Sequence, residues 1–341
     1  MVNEIKRTVW YAWFALTLLA LLLGGMVGRA GASQGGSFPG GATPPAWRGE
    51  TGTAVAPGGM PRVNYAPRSS STPRVNYVPR SSSTPPPLIQ QPVVVIEPDN
   101  PDENPLPAEA WKEWPVLPAA ISAEMRQIYQ EGLRNGTDPR AFSVIGDCQS
   151  QPEFFMGVFD TDPFSLQLLP AYLRETARQY TGSFGRSSPT VQDGITAGAV
   201  LWGEWANKYQ DGQACQAGET PLACELRLNN PSIVLIHVGT HWEGRNERYL
   251  TMIIETIKEH GAVPVMVTKA DNREKDERVN LQSVRVAQEL GIPVWNFWAS
   301  VQNTPNYGLV TGSDKDLNEQ ALEIRRYSAL QVLDMIWRAV K

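Results

Sequence analysis

Residues 142–150 read FSVIGDCQS, a short apolar run that ends in Gly146-Asp147 and is followed by a cysteine. β-Branched and aromatic residues bounded by glycine and aspartate predict a buried strand that stops at a turn. The same kind of run returns three times, as SIVLIHVG (232–239), VPVMVTK (263–269) and IPVWNFW (292–298). These four runs predict the strands of a single sheet.

Helical patterns lie between the predicted strands. Residues 119–135 have helical spacing before the first strand, and a mostly helical stretch continues after it to about Tyr180. The later helices are predicted at 246–260, 274–290 and 321–337, the first two of them ended by Gly261 and Gly291. Apolar strands alternating with helices predict an α/β fold, a three-layer α/β/α domain with a mostly parallel sheet. In such a sheet, functional groups collect at the carboxyl ends of the strands.

The first third of the chain has a different composition. Residues 8–27 are uncharged and about as long as a membrane-spanning helix. Residues 28–96 are rich in Gly, Ser, Pro, Thr and Arg, and PRVNYAPRSSST (61–72) recurs at 73–84 with one change. Such a segment cannot bury enough surface to fold, and its repeat suits an extended spacer.

The chain therefore divides into three parts. Residues 1–29 are predicted to form a cytoplasmic stub and a transmembrane signal-anchor, 30–110 a disordered linker, and 115–341 the folded domain. A cleaved signal peptide is the alternative for the first part, because AGA (30–32) resembles a cleavage site. Either alternative predicts an extracytoplasmic domain, at the cell surface or in a periplasm-like compartment, and the anchor predicts the membrane as a partner through residues 8–27.

Charge is unevenly distributed. The net charge is −5, yet residues 28–96 carry six arginines and only one acidic residue, Glu50, so the domain that follows is acidic. An acidic domain does not suit a phosphate backbone, and nucleic acid is excluded as a partner.

Two cysteines predict a disulfide. Cys215 and Cys224 bracket the loop CQAGETPLAC in a domain expected to be exported into oxidising surroundings. Two unpaired thiols are the alternative. A Cys215–Cys224 bond leaves Cys148 as the single free thiol.

Four stretches occur in the order of the sequence blocks of a known family. They are VIGDCQS, the glycine of VQDGITAGAV (Gly194), VGTHW after the second strand, and GSDKDLN before the last helix. This order, over roughly residues 140–341, resembles the SGNH (GDSL-type) hydrolases, whose fold is flavodoxin-like. The resemblance implies an esterase acting on carbohydrate, lipid or small acyl esters. It implies a serine nucleophile after Gly-Asp, an oxyanion hole from the second and third blocks, a histidine base in the last block, and neither metal nor cofactor.

The match differs from the family at the residues that carry the chemistry. Cys148 stands at the serine position, and His241 at the asparagine position of the third block. No histidine follows His260, so Asp316 is the nearest acidic residue to the vacated base position at Leu317. The predicted catalytic group is Cys148, Gly194, His241 and Asp316. The predicted binding group is Asp147, Thr240, Trp242 and Asp314.

Two interpretations of Cys148 stay open. A thiol at a helix start beside an imidazole can be an ionised nucleophile, which predicts a Cys148–His241 pair. Alternatively, Cys148 is a small residue filling the space of a serine. His237 is predicted to be a hydrogen-bonded core histidine. Lys269 and Asp271 are predicted either to bind a ligand or to pair with each other.

Two function classes follow. The first is a membrane-anchored ester hydrolase with a degenerate site, acting on carbohydrate, lipid or another acylated envelope substrate. The second is a catalytically inactive module that binds a glycan or a protein through the same cleft. Both require Cys148, Gly194 and His241 to meet at one edge of the sheet.

Overall fold

The computed structural model describes residues 108–207 and 214–341. The predicted transmembrane segment, 8–27, and the repeat at 61–84 lie outside the described residues. Within the part of the chain that is described, no helix combines the length and apolar character needed to cross a bilayer.

Four parallel strands form the sheet. They are β1 (Asp138–Gly146), β2 (Pro231–His237), β3 (Val263–Val267) and β4 (Val294–Trp295), in the order β1-β2-β3-β4. The predicted α/β class with a parallel sheet is confirmed. Every residue of β3, and every residue of β2 before His237, is buried, as expected for strands covered on both sides.

The fourth strand is shorter than predicted. The prediction of a strand to residue 298 is wrong beyond Trp295, because the Asn296 side chain accepts a hydrogen bond from the Ala299 N–H and starts a helix. The same side chain donates to the carbonyl oxygens of Trp111 and Trp114 at 3.0 and 3.2 Å. Trp111 is 1% exposed, so packed structure begins before residue 115.

Ten α-helices accompany the sheet in the described ranges. They are α1 (Ala123–Asn135), α2 (Val158–Thr161), α3 (Pro163–Leu168), α4 (Ala171–Gln179), α5 (Ala197–Val200), α6 (Pro221–Asn229), α7 (Asn246–His260), α8 (Arg278–Glu289), α9 (Phe297–Val301) and α10 (Glu319–Val340). Helix α8 begins four residues later than its predicted start, because Lys275 and Glu277 have left-handed backbone conformations. Glu274 therefore stays in the loop after β3.

The chain moves across the sheet in one direction. Right-handed crossovers then place α6, α7 and α8 on one face. Helix α10 contacts α1, α4 and α9 and supplies buried residues to the same core from the other side. Helix α1 runs along the amino-terminal ends of the strands, where Gly132 meets Gly261 and Glu124 bonds Lys258 at 2.8 Å.

Side chains close the outer edge of β1. An isolated parallel bridge joins Gly146 to Val191, and the Arg186 guanidinium donates to the Phe142 carbonyl at 2.9 Å. Glu225, fully buried, pairs with Arg186 at 2.6 Å. Side chains that satisfy an edge in this way prevent another chain from pairing there. The bridge also places residues 190–194 beside the end of β1.

Candidate functional site

A small cleft opens where β1, β2 and β3 end. Its walls come from the residues just after these strands and from the loop before α10, and its space of about 220 Å³ is partly open solvent. Only about 10 Å³ of it can hold the centre of a water-sized group, which is roughly the room for one water molecule, so the cleft suits a single small group of a ligand. The lining residues are Asp147, Gln149, His237, Thr240, Lys269, Ala270, Asp271, Phe297, Lys315 and Leu317.

A buried ion cluster lies on one side of the cleft. Lys269 Nζ donates to Asp271 Oδ1 at 2.8 Å and to Glu274 Oε2 at 2.6 Å, and the Lys269 side chain is only 2% exposed. Thr240 Oγ1 donates to the second Asp271 oxygen at 2.8 Å, which joins the loops after β2 and β3. Asn280 accepts from the Lys269 N–H and donates to the Lys269 carbonyl. The predicted pairing of Lys269 with Asp271 therefore exists, but it is buried and lines the cleft.

A second buried cation lies beneath the cleft. Arg325, in the middle of α10, is fully buried and donates to the Gln149 carbonyl at 2.5 Å and to Ser150 Oγ at 2.9 Å. Its guanidinium also donates to His237 Nδ1 and lies 4.3 Å from the centre of the Phe155 ring. Burial lowers the pKa of Arg325 to about 10, so it stays charged at neutral pH.

His237 is the last residue of β2 and it faces the cleft. Burial, followed by the positive charges of Arg325 and Lys269, holds the pKa of His237 well below 6.5. The imidazole is therefore neutral, and its Nδ1 is an acceptor because arginine can only donate. The predicted hydrogen bond of a core histidine is present, and the ring also lines the site. The position of His237 at the end of a predicted strand is the sequence signal that could have identified it as a cleft residue. Arg325 lies in the middle of a helix, and no sequence signal marks it as part of the site.

Cys148 is a half-buried, protonated thiol. It opens a short 3₁₀ turn, Cys148–Ser150, whose first N–H groups face Asp147. Burial and the Asp147 and Asp193 carboxylates raise the pKa of Cys148 to about 11, while Lys315 acts weakly in the opposite direction. A turn of three residues is too short to offset two carboxylates. The environment therefore favours the thiol over the thiolate.

The third block, VGTHW (238–242), reaches the cleft, but its His241 does not line the cleft. Among residues 108–207 and 214–341, no hydrogen bond joins Cys148 to His241, and the buried His241 Nε2 has no partner there. Thr240 lines the cleft, whereas the neighbouring Trp242 is 38% exposed. Gly194, with φ of 74°, follows Asp193, so the second block does reach Cys148 through the Asp193 carboxylate.

The last block presents no base to Cys148. Leu317 is buried, and its N–H donates to Gln149 Oε1 at 3.1 Å while Gln149 Nε2 donates to the Lys315 carbonyl at 2.8 Å. Asp316 is exposed and accepts from Ser313 Oγ at 2.8 Å. Asp314 pairs with Arg273 at 3.3 Å. Of the predicted binding residues, Asp147 and Thr240 line the cleft, and Trp242 and Asp314 lie outside it.

The predicted disulfide is confirmed. Cys215 and Cys224 are bonded, and Cys148 is free. Cys215, Glu219 and Cys224 are also the group of possible metal ligands that lies closest together in the described ranges. Its two sulfur atoms are joined to each other, so the oxidised domain offers no thiolate pair to a metal there.

Comparison with known proteins found matches only among solved structures. No protein-family model and no curated protein matches the chain. The psychrotrophic esterase EstA of Pseudoalteromonas sp. is 11% identical, with a TM-score of 0.36 over 57% of this chain and 96% of that one. A GDSL-like lipase of Bacteroides thetaiotaomicron is 12% identical, with a TM-score of 0.36 over 61% of this chain and 96% of that one. The acetyl xylan esterase AlAXEase is 14% identical, with a TM-score of 0.35 over 59% of this chain and all of that one.

These structures are described as esterases and as lipolytic proteins of the GDSL type. TM-scores below 0.5 carry no argument about the family or the chemistry of this chain. What the cleft can do follows from its own side chains.

Replacing Lys269 with Met tests the buried ion cluster. Removal of the cation leaves the Asp271 and Glu274 carboxylates buried and uncompensated, so we expect the free energy of unfolding to fall by about 3–5 kcal/mol in urea titrations. Arg278→Met is the matched control. It breaks the exposed pair of Arg278 with Asp276 and should cost at most about 1 kcal/mol. Equal, small losses in both variants would contradict the assigned role of Lys269.

The alkylation rate of Cys148 tests the state of the thiol. In the folded protein the rate with iodoacetamide should keep rising up to about pH 11, because burial, Asp147 and Asp193 raise the pKa of Cys148. In urea, where the protein is unfolded, the midpoint of the curve of alkylation rate against pH should return to about pH 8.5. Asp193→Asn removes one carboxylate and should speed the reaction at pH 8. An alkylation rate in the folded protein that levels off below pH 8 would contradict the raised pKa of Cys148.

Proposed function

We propose that the folded domain is a non-hydrolytic binding module built on an SGNH-type, flavodoxin-like hydrolase fold, and that its cleft binds a neutral, hydroxyl-rich ligand such as a glycan. The observation that supports this most directly is the filling of the base position. Leu317 occupies it and Gln149 holds its backbone, while Cys148 stays protonated.

Ester hydrolysis by Cys148 would need an activated thiol. A nucleophile of this kind requires a nearby base or a depressed pKa. With a pKa of about 11 for Cys148, only about one molecule in ten thousand holds a thiolate at pH 7. The Asp193 carboxylate favours the protonated thiol, and Asp316 is engaged with Ser313. The arrangement supports binding over acyl transfer.

The charges around the cleft balance. The charged residues that line it are two carboxylates (Asp147 and Asp271) and two cations (Lys269 and Lys315), so an ion gains little from entering. A neutral ligand with hydroxyl groups can use both the donors and the acceptors. Cleft polarity therefore favours sugars and other polyols as the ligand class.

Two exposed tryptophans belong to the loop after β2 and to the turn after α5. The Gly198 N–H in α5 donates to Glu243 Oε1 at 2.5 Å, which places α5 against the loop after β2. Trp242 in that loop is 38% exposed, and Trp202, just after α5, is 56% exposed. Aromatic faces of this kind can stack on the apolar face of a sugar ring. They provide the extended contact that the small cleft lacks.

Export and membrane anchoring are part of the proposal. The Cys215–Cys224 disulfide supports an oxidising compartment, and residues 8–27 have the length and composition of an anchor. An anchored, extracytoplasmic module would meet carbohydrate or acylated envelope polymers as partners. The order of the four sequence blocks supports the SGNH-type fold within this proposal.

An esterase assay tests the absence of hydrolysis. The purified domain and its Cys148→Ala and Cys148→Ser variants should hydrolyse p-nitrophenyl acetate at one common background rate, because no base serves either nucleophile. The rates are read at 405 nm or by product chromatography. A rate that is lost only in Cys148→Ala would show that Cys148 is a nucleophile and would end the proposal.

Tryptophan fluorescence tests the binding. Titration with a panel of neutral oligosaccharides should change the emission, and Trp242→Ala should weaken binding about threefold to tenfold through loss of a stacking contact. Phe164→Ala is the matched control, since Phe164 is an aromatic residue on α3 that is 52% exposed. Binding to no member of the panel would contradict the proposed ligand class.

A further inference from the structure

His237 has one nitrogen committed inside the protein and one left for the cleft. Nδ1 accepts from the Arg325 guanidinium, and the ring lines the cleft. The nitrogen available to a ligand is therefore Nε2. His237 is also the β2 partner of Gly146 in the parallel register, so it lies beside the residue that precedes Asp147.

We propose, on the basis of the binding function above, that His237 and Asp147 form a hydroxyl-specific subsite. His237 Nε2–H donates to the oxygen of a ligand hydroxyl, and the Asp147 carboxylate accepts the hydrogen of the same hydroxyl. Arg325 is the positioning residue, because it decides which nitrogen of His237 carries the hydrogen.

The tautomer follows from the chemistry of arginine. A guanidinium has only donors, so the nitrogen that faces it must present its lone pair. Arg325 is itself held by the Gln149 carbonyl, Ser150 Oγ and the Phe155 ring. It cannot turn away without leaving buried donors unpaired, which costs free energy. His237 is therefore restricted to the form with its hydrogen on Nε2.

The charge state of His237 follows from its surroundings. Arg325 on α10, Lys269 after β3 and Lys315 before α10 are the cations around it, and Asp147 and Asp271 are the carboxylates that share the cleft. Burial and the nearest cations, Arg325 and Lys269, keep the imidazole neutral. A neutral donor of this kind selects for hydrogen-bond geometry more than for ligand charge.

Asp147 provides the acceptor. Its Oδ1 accepts from the Gln149 N–H at 3.1 Å, and within the described residues its Oδ2 accepts no hydrogen bond. A hydroxyl can accept from Nε2–H and donate to Oδ2 at the same time. An ammonium ion cannot accept from Nε2–H, and a carboxylate has no hydrogen for Asp147. The subsite therefore distinguishes a hydroxyl from both ions.

Nitrogen-15 NMR of histidine-labelled protein reads the tautomer directly. In long-range proton–nitrogen spectra, His237 should show the form with hydrogen on Nε2, unchanged from about pH 5 to about pH 8. Glycerol should shift the Nε2 resonance of His237, whereas acetate and methylammonium at the same concentration should not. His260, at the end of α7, is the internal control and should not respond to glycerol.

Variants test the same subsite by affinity. His237→Phe removes the donor and should weaken the best oligosaccharide of the panel about fivefold to tenfold, the usual effect of one lost hydrogen bond. His237→Gln keeps an N–H donor and should recover part of the affinity, and His260→Gln should bind as the wild type does. Circular dichroism and the melting temperature check folding, and if His237→Phe does not fold, the spectra of the wild type decide.

Four results would overturn the subsite. They are hydrogen on Nδ1, titration of His237 near its ordinary pKa, a response to acetate or methylammonium in place of glycerol, and wild-type affinity in folded His237→Phe. Failure of the proposed function is a different result. If the wild type binds no oligosaccharide but its His237 still responds to glycerol, the glycan is ruled out as the ligand and the hydroxyl-specific subsite is supported.

Discussion

The buried guanidinium of Arg325 is the contact on which the site depends. From the middle of α10 it bonds the backbone after β1 and the imidazole at the end of β2, and it packs on the Phe155 ring. A buried charge without these partners would be strongly destabilising, so the helix and the strand ends must keep one arrangement. The same contact sets the tautomer of His237. Stability of the core and chemistry of the cleft are thus consequences of one side chain.

Two buried cations hold the loops around the cleft. Lys269, with Asp271 and Glu274, holds the loops after β2 and β3 together, and Arg325 holds the loop after β1. Cys148 lies among these fixed groups beside two carboxylates, which keeps it protonated. The cleft that results is lined by two carboxylates and two cations and offers both donors and acceptors. Such donors and acceptors are the basis of the binding role proposed above.

Local patterns predicted most of the fold and only part of the site. The β1, β2 and β3 runs are apolar enough to be recognised wherever they occur, and Gly261 ends α7 as predicted. β4 was predicted too long because the cap formed by Asn296 depends on a short-range hydrogen bond that apolar spacing does not reveal. In the site, Asp147 and Thr240 were predicted from the resemblance to the family's sequence blocks. His237 and Lys269 were named, but the choice between a structural and a ligand-binding role required their burial and their partners.

The sequence by itself determined the α/β class, the runs that form the parallel strands and the loops that follow them, because each depends on residues close together in the chain, and it favoured the Cys215–Cys224 disulfide over two unpaired thiols. Only the tertiary structure decided that His237, and not His241, faces the cleft. That choice depends on Arg325, 88 residues further along the chain, which reaches the end of β2 only after α10 has packed. Contacts of this kind leave no local pattern, since a buried arginine in a helix has the same spacing as an exposed one.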